Sequence, residues 1–484
     1  MPRKKSTASA KKNTAKNVKK PSGKNNTADK GKKTAKAAPS AADKKSASKK
    51  KRVQTLALLR GMKDITPDHS ESFVKIFRAA DAIATSYGYS YVETPVVEYT
   101  SLFVRSLGKG TDVVDKEMYM FEDKDGGKVA LRPEMTASVA RAYIMHGMHT
   151  LPQPVKMWYW GPMFRYDRPQ AGRYREFHQF GCETFGERSP VVDAELICVA
   201  YNLLRDLGVN ASVHINSIGT LQEREQYIIE LVGYLRSKRS YLSELSKKRI
   251  TKNPLRVLDS KEPEDQAVVE EAPQIIDWLS DASKNYFMGV LEYLDEVQIP
   301  YVLTPTLVRG LDYYSDTVFE MFADDADGGS QNALVGGGRY DGLVEQLGGQ
   351  SVPGCGFSFG VERVFAILEK RRRQQNSGQE EEQIAQKDRK GLFFAQLGEQ
   401  ASKRALYLIE TLRRDGITVY HNLGKSSLKA QMELAHKHGV THTLILGQKE
   451  VLDNTVLLRD MDSGIQEVID QNKLKQTLKK MFNL

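Results

Sequence analysis

The sequence predicts an α+β domain interrupted by a helical insertion and followed by a small α/β domain. Three observations carry this. Two aromatic-rich strand patterns, VKMWYWGPMFRYD and REFHQFGCETFG, flank the polar segment RPQAGRY as the arms of a hairpin would. A mostly charged, helix-patterned stretch covers about 220–300. From Gly391 onward strand and helix patterns alternate for about 90 residues, which indicates a largely parallel sheet.

With 484 residues the chain is long enough for two or three domains, each with its own core. Its 40% hydrophobic and 8% aromatic residues are those of an ordinary soluble globular protein. No apolar run is long enough for a transmembrane helix, and no apolar leader core precedes residue 53, so neither a span nor a secretory signal is expected. Cys182, Cys198 and Cys355 are odd in number and far apart, which argues against a disulfide framework or a zinc site and for a reducing compartment.

The net charge of +10 hides two opposite parts. Residues 1–52 hold 19 Lys and Arg against Asp29 and Asp43, a net +17, while the remainder carries 52 basic and 59 acidic residues, a net −7. This Lys-rich tail has no aromatic residue and little to bury, so it is expected to be disordered. Attraction to nucleic-acid phosphates is the favoured role, and an address-like or solubilising extension is the alternative. Cytoplasm is the expected location; a second, mitochondrial destination fits less well because the basic residues are nearly all Lys rather than Arg.

The folded part is expected over 53–370, followed by a linker at 371–390 and a last domain at 391–484. Apolar residues at Phe73, Ile76, Phe77, Ala80, Ile83, Ala84 and Tyr87 share one helix face, and Gly88 ends that helix. YSYVETPVVE reads as extended and is broken by Pro95. VALRP reads as a strand and MTASVARAYIMHG as a helix closed by Gly147. β signals return at TVFEMF and ALVGGG after the helical stretch. RRRQQNSGQEEEQIAQKDRK is hydrophilic throughout, as a linker is. The last domain reads GLFFAQLG, a helix to about Arg414, ITVYH, SLKAQMELAHKHG and THTLILG.

Five arginines, Arg132, Arg165, Arg173, Arg309 and Arg363, lie in or beside strand-like segments rich in Gly and aromatics. A guanidinium buried without an anion is expensive. For any one of them an ion pair with Glu134, Asp167, Asp312 or Glu362 is the simpler reading; for several together a polyanion such as ATP competes. Gln179 and Glu183, four apart on a strand, share a face, and beside Tyr313 and Tyr314 they could bind a cationic or hydrogen-bonding small molecule. Common Gly-rich explanations fail: GGGRYDG has Asp341 where a dinucleotide fingerprint needs Gly, and LGKSS has Val419 where a P-loop needs Gly. His436 and His438 do not share a helix face, so they read as surface residues rather than metal ligands.

From about residue 55 to 480 the chain resembles the histidine–tRNA ligases, which are class II aminoacyl-tRNA synthetases. YVETPVVE looks like motif 1, a dimer-interface element, GPMFRYDRPQAGRYREFHQFGCE like motif 2, and GFSFGVERV like motif 3. LRPEMT, RGLDYYSDTVFE and LVGGGRYDGLVEQLGG are peculiar to the histidine enzymes, and LRPEMT and FHQFGCE are closer to the bacterial type. The resemblance implies an antiparallel sheet flanked by helices for the class II catalytic domain, a helical insertion that clamps the acceptor arm, and a C-terminal anticodon-binding domain. It also implies a homodimer that uses ATP with Mg2+, L-histidine and tRNA(His), with no resident metal.

Residue by residue, the resemblance assigns Arg165 and Arg309 to the α-phosphate and carboxylate as the catalytic cations. Arg363 and Arg173 go to the β- and γ-phosphates, and Phe177 to adenine. Glu134 and Thr136 would hold the α-amino group with Gln179 nearby, Glu183 and Tyr314 the two imidazole nitrogens, and Tyr313 and Tyr340 the pocket walls. Arg168 and Gln170 are implied at the tRNA acceptor end. Where class II motif 2 carries Arg-x-Glu, this chain has Arg165-Tyr166-Asp167, a shorter carboxylate at the position that helps to place adenine. A regulatory paralogue that binds histidine or tRNA without ligating them is the competing reading. The presence of Arg165, Arg309, Arg363 and the last domain speaks against it.

Overall fold

The computed structural model describes residues 56–108, 111, 113–169, 172–324, 333–378 and 391–482; the Lys-rich tail and Gln170 lie outside them. The chain begins with α1 (Pro67–Ser86), β1 (Ser90–Tyr91), β2 (Val97–Tyr99) and α2 (Thr100–Leu107). Next come β3 (Met120–Glu122), β4 (Lys128–Leu131), α3 (Thr136–Met145), β5 (Val155–Phe164), β6 (Glu176–Phe185), α4 (Pro190–Asp206) and β7 (Ala211–Ser217). Five helices follow: α5 (Leu221–Ser237), α6 (Glu244–Lys252), α7 (Leu255–Leu258), α8 (Pro263–Glu270) and α9 (Asp281–Glu296). The first part closes with β8 (Tyr301–Leu303), β9 (Ser315–Ala323), β10 (Val335–Arg339), α10 (Leu343–Gln346), β11 (Gly354–Gly360) and α11 (Val361–Gly378).

Among the described residues eight strands form the large sheet, in the order β1-β5-β6-β11-β10-β9-β7-β8. Only the edge pairs β1–β5 and β7–β8 are parallel; the rest of the sheet is antiparallel. Side chains alternate across a strand, and here the alternation separates two jobs. Trp158, Phe180, Phe357, Phe359 and Phe319 point to one face and pack with α1, α4 and α9. Their neighbours in sequence, such as Tyr159, Gln179, Glu183, Gly356 and Gly336, face the other way. A small sheet, β2-β4-β3, stands apart from the large one.

The first helix begins six residues earlier than its apolar pattern suggested, at Pro67, a residue whose fixed φ suits the first helical turn. It buries Ile76, Ala80, Ile83 and Ala84, and Gly88, at φ 79°, reverses the chain. The insertion is shorter than the stretch of charged helix suggested. Phe287, Val290, Leu291 and Leu294 of α9 join the same core as Leu196, Ala200 and Leu203 of α4, so α9 belongs to the helical layer of the sheet. Only α5 to α8 and their connections stand outside it. α11 also extends to Gly378, so the first eight residues of the expected linker are helical, and 379–390 fall outside the described residues.

One carboxylate joins the two ends of the insertion. Glu223, in the first turn of α5, accepts hydrogen bonds from the Thr220 N–H (2.7 Å) and hydroxyl (2.9 Å). It also accepts from the Ser280 N–H (2.7 Å) and the Ser283 hydroxyl (2.9 Å) at the start of α9. Burial opposes its charge, but the donors of Ser280, Thr220 and Ser283 outweigh burial and bring its carboxyl down to about 2.

The last domain contains β12 (Leu392–Gln396), α12 (Glu399–Arg414), β13 (Val419–His421), α13 (Leu428–Lys437), β14 (His442–Leu446) and α14 (Gln448–Leu452). It ends with β15 (Thr455–Asp460), β16 (Gln466–Asp470) and α15 (Gln471–Phe482). β13, β12 and β14 are parallel as expected, but β15 and β16 add antiparallel to β14 and make the sheet mixed. The expected elements end at THTLILG, before these two strands, TVLLRD and QEVID. His436 and His438 are both exposed, and His438 stacks on Tyr420 at 4.7 Å.

Glu223→Gln tests the clasp. A carboxyl held below its unfolded value stabilises fully above that value, about 4.3, and loses its contribution as pH falls toward 2. The thermal midpoint of the wild-type chain is therefore expected to fall more steeply between pH 5 and 3 than that of the variant, measured by circular dichroism.

Candidate functional site

The inner face of the large sheet holds charge because selected positions carry no side chain. Glu183 on β6 pairs across the strands with Gly356 on β11, and a Cβ at Gly356 would overlap the Glu183 carboxylate. Glu320 on β9 pairs with Gly336 on β10, and a Cβ at Gly336 would overlap the Arg309 guanidinium. Glycine here permits close approach. The alternation that fills the helix side with aromatics thus empties the other side at chosen points.

Glu183 is fully buried. It accepts from the Thr136 hydroxyl at 2.7 Å, the Tyr159 hydroxyl at 3.2 Å and the Tyr340 hydroxyl. Burial pushes its carboxyl up to about 8, and the Tyr340, Thr136 and Tyr159 donors restrain the rise. Glu134, also buried, accepts the backbone N–H groups of Thr136 (2.7 Å) and Ala137 (2.9 Å) at the start of α3. Burial raises it to about 7 against those two hydrogen bonds. Thr136 therefore bridges both acids, one through its amide and one through its hydroxyl. The rings of Tyr313, Tyr314 and Tyr340 close this corner, with centroids 4.7 to 6.3 Å apart.

Next to it a cleft of about 200 Å3 is lined by Arg165, Phe177, Gln179, Arg309, Glu320 and Arg363 among others. Arg309 ion-pairs with Glu320 and lies over the Tyr314 ring at 5.4 Å. Burial works against its charge, but Tyr314, Glu320 and Tyr313 outweigh burial and leave its acidity below that of an ordinary arginine. Arg165 donates from Nε to the Tyr174 carbonyl at 3.1 Å and sits over the Phe177 ring at 4.2 Å. Burial first, then Arg173 and Arg363, depress it to about 10. Arg363 donates to the Ala333 carbonyl, and burial and Arg173 push it down as well. Among the described residues neither Arg165 nor Arg363 has a carboxylate partner.

The simple ion-pair reading of the five arginines holds for one of them. Arg173 pairs with Asp167 and, at 3.5 Å, with Glu117. Arg309 pairs with Glu320, a partner absent from the expected set. Arg132 is satisfied by peptide carbonyls, those of Pro162 (2.9 Å) and Thr94 (2.7 Å). Glu362 is taken by His178, whose N–H donates to it at 2.9 Å and whose Nδ1 lies 2.9 Å away.

The structure gathers Glu134, Thr136, Glu183, Tyr313, Tyr314 and Tyr340 in the buried corner. Arg165, Phe177, Gln179, Arg309 and Arg363 line the cleft. Arg173 stays half in solvent beside Asp167, and Arg168 is exposed. Asp167, the shortened motif 2 acid, is occupied by Arg173 and by the Arg168 N–H. Sequence reading missed Tyr159 and Glu320. Both lie on the glycine-bearing face, opposite Gly181 and Gly336, and the register between strands, which alternation along one strand does not give, is what brings them there.

A family model described as Histidyl-tRNA synthetase matches residues 61–364, and one described as Anticodon binding domain matches residues 391–481. The histidine–tRNA ligase of Syntrophotalea carbinolica is 41% identical over 421 residues, 87% of this chain and 97% of its own length. That of Halothermothrix orenii is 42% identical over 423 residues, 87% of this chain and 98% of its own. The apo histidyl-tRNA synthetase of S. aureus superposes with a TM-score of 0.72 at 34% identity, over 88% of this chain and 100% of that one. Catalytic sheet, buried corner and terminal domain all fall within these likenesses, so the chain belongs to the histidyl-tRNA synthetase family and its activity is that of a histidine–tRNA ligase.

Proposed function

We propose that the buried corner takes histidine and the adjoining cleft takes ATP, with Arg309 and Arg165 meeting where the two substrates react. The observation that carries this is the pair of half-buried arginines, Arg165 and Arg363, that among the described residues have no carboxylate partner and line the same cleft as Arg309. Positively charged groups held together at low exposure raise one another's energy, and an incoming polyanion relieves it.

In this reading Glu183 and Tyr314 hold the imidazole, and Glu134, Thr136 and Gln179 hold the α-amino group. The histidine carboxylate oxygen attacks the α-phosphorus, the bond to the β-phosphate oxygen breaks, and pyrophosphate leaves. Arg309 and Arg165 stabilise the charge that gathers on the α-phosphate oxygens, with no side chain acting as nucleophile. The terminal ribose hydroxyl of tRNA(His) then attacks the acyl carbon and AMP departs. Arg363 and Arg173 suit the β- and γ-phosphates. Arg165 now covers the Phe177 ring; a swing toward the α-phosphate would bare that ring for adenine. Arg168 suits the tRNA acceptor end, and Gln170, proposed with it, lies outside the described residues.

ATP brings Mg2+ with its phosphates, and the carboxylates lining the cleft, Glu320 and Glu362, are oxygen donors of the kind it prefers. A homodimer is supported by the exposed apolar residues Val97, Tyr99, Met120 and Phe121 of the small sheet, together with Tyr91. Among the described residues no helix is long and apolar enough to cross a membrane. Cytoplasm is the proposed location, since all three cysteines are free thiols. The Lys-rich tail is proposed to add unspecific attraction for tRNA.

Arg309→Ala is expected to lower kcat of histidine-dependent ATP–pyrophosphate exchange about 100- to 1000-fold, with a much smaller rise in the histidine KM. An unchanged kcat in a variant that melts normally would remove Arg309 from the chemistry. Removal of residues 1–52 is expected to weaken tRNA binding and flatten its dependence on salt while leaving the exchange reaction intact. Equal tRNA affinity at low and high salt with and without the tail would make the tail an address or a solubiliser.

A further inference from the structure

Tyr159 has no part in the assignments above, yet the strand beside it is built to make room for its ring. Its position on β5 lies opposite Gly181 on β6, and a Cβ at Gly181 would overlap its phenol ring and hydroxyl. The ring therefore lies across the bare strand and ends at Glu183 Oε1, 3.2 Å away. Both residues are completely buried.

A carboxylate offers about four lone-pair sites. Three hydroxyls already donate to Glu183: those of Thr136 and Tyr159 to Oε1, and that of Tyr340 to Oε2. They approach from three separate stretches of chain, the turn into α3, strand β5 and the segment after β10.

We propose that Tyr159 is a positioning residue for histidine recognition: with Thr136 and Tyr340 it fixes the Glu183 carboxylate so that one acceptor site is left, aimed at a single N–H of the substrate imidazole. This rests on the reading that Glu183 holds the imidazole. The three hydroxyls replace water around a buried charge and prevent the carboxylate from rotating. A ligand that lacks the ring N–H leaves the last site unpaired and is rejected for that reason. The other titratable groups on the same face near Glu183 are Glu134, Tyr313 and Tyr314, while Cys182 and Cys355 lie near it on the opposite, helix-side face. Removing the Tyr159 hydroxyl leaves all of these groups in place; of them, Glu134 and Tyr314 also feel that hydroxyl directly.

Tyr159→Phe keeps the ring and removes the donor. In pyrophosphate exchange the histidine KM is expected to rise about tenfold, while kcat and the ATP KM stay within about twofold. Without a donor that favours the charged form, the break in the histidine pH profile due to Glu183 moves to higher pH. A packing role alone would alter melting and leave that break in place. Glu183→Gln is measured alongside. If Glu183→Gln raises the histidine KM at least tenfold and Tyr159→Phe changes neither KM nor the break, the positioning role is wrong. If Glu183→Gln itself leaves the histidine KM unchanged, the assignment of Glu183 to the imidazole fails first.

Discussion

Buried charge on the inner sheet face is possible only because the cross-strand neighbours are glycines. Gly356 lies beneath Glu183 and Gly336 beneath Arg309, and a single methyl group at either would occupy the space of a charged atom. The helix side of the same strands has the opposite need, and Phe180, Phe357 and Phe359 fill it completely. One face provides the cohesion and the other the room. Neither could be exchanged for the other, because a one-residue slip in register would put aromatics into the pocket and carboxylates into the core.

Within that room the charges divide into two sets. Glu183, Glu134 and the Arg309–Glu320 pair are provided with donors and counter-charges by the chain itself. Among the described residues, Arg165 and Arg363 rest on carbonyls and a ring and pair with no carboxylate. A protein tolerates such incompletely paired cations where a substrate completes them, and a nucleotide with three phosphates does so in one event. The division also explains why the corner is buried and the cleft is open. On the proposed reading, recognition of a small ring gains from fixed groups, whereas adenylyl transfer gains from cations free to close on the α-phosphate.

Much of the site was legible in the sequence. Motif resemblance placed eleven of the residues that now stand together, from Glu134 to Arg363, and alternation of polar and aromatic residues located the hairpin that carries four of them. What could not be read was pairing between distant strands. Glu320 became the partner of Arg309, and Glu362 the partner of His178, because sheet order brings β9 beside β10 and β6 beside β11. Composition also misled at two boundaries. The charged exterior of α9 concealed its four core residues, and the hydrophilic run after Lys370 was exposed helix before it was anything else. Helical surfaces and linkers look alike when only charge is counted.

The Glu223 clasp has a mechanical consequence. The chain leaves the sheet into α5 and returns to it through α9 at one hydrogen-bonded neck, so the two ends of the insertion are fixed relative to each other. A closed loop of that kind can lengthen at small entropic cost, about 0.6 kcal/mol per doubling. It is also braced elsewhere: Arg224 donates to the Tyr314 carbonyl, Arg256 to the Gly310 carbonyl at 2.6 Å, and Tyr227, Leu231 and Leu235 of α5 share a core with Tyr313, Tyr314 and Tyr340. Any movement of α5 to α8 is therefore coupled to the backbone that carries Arg309 and Tyr314.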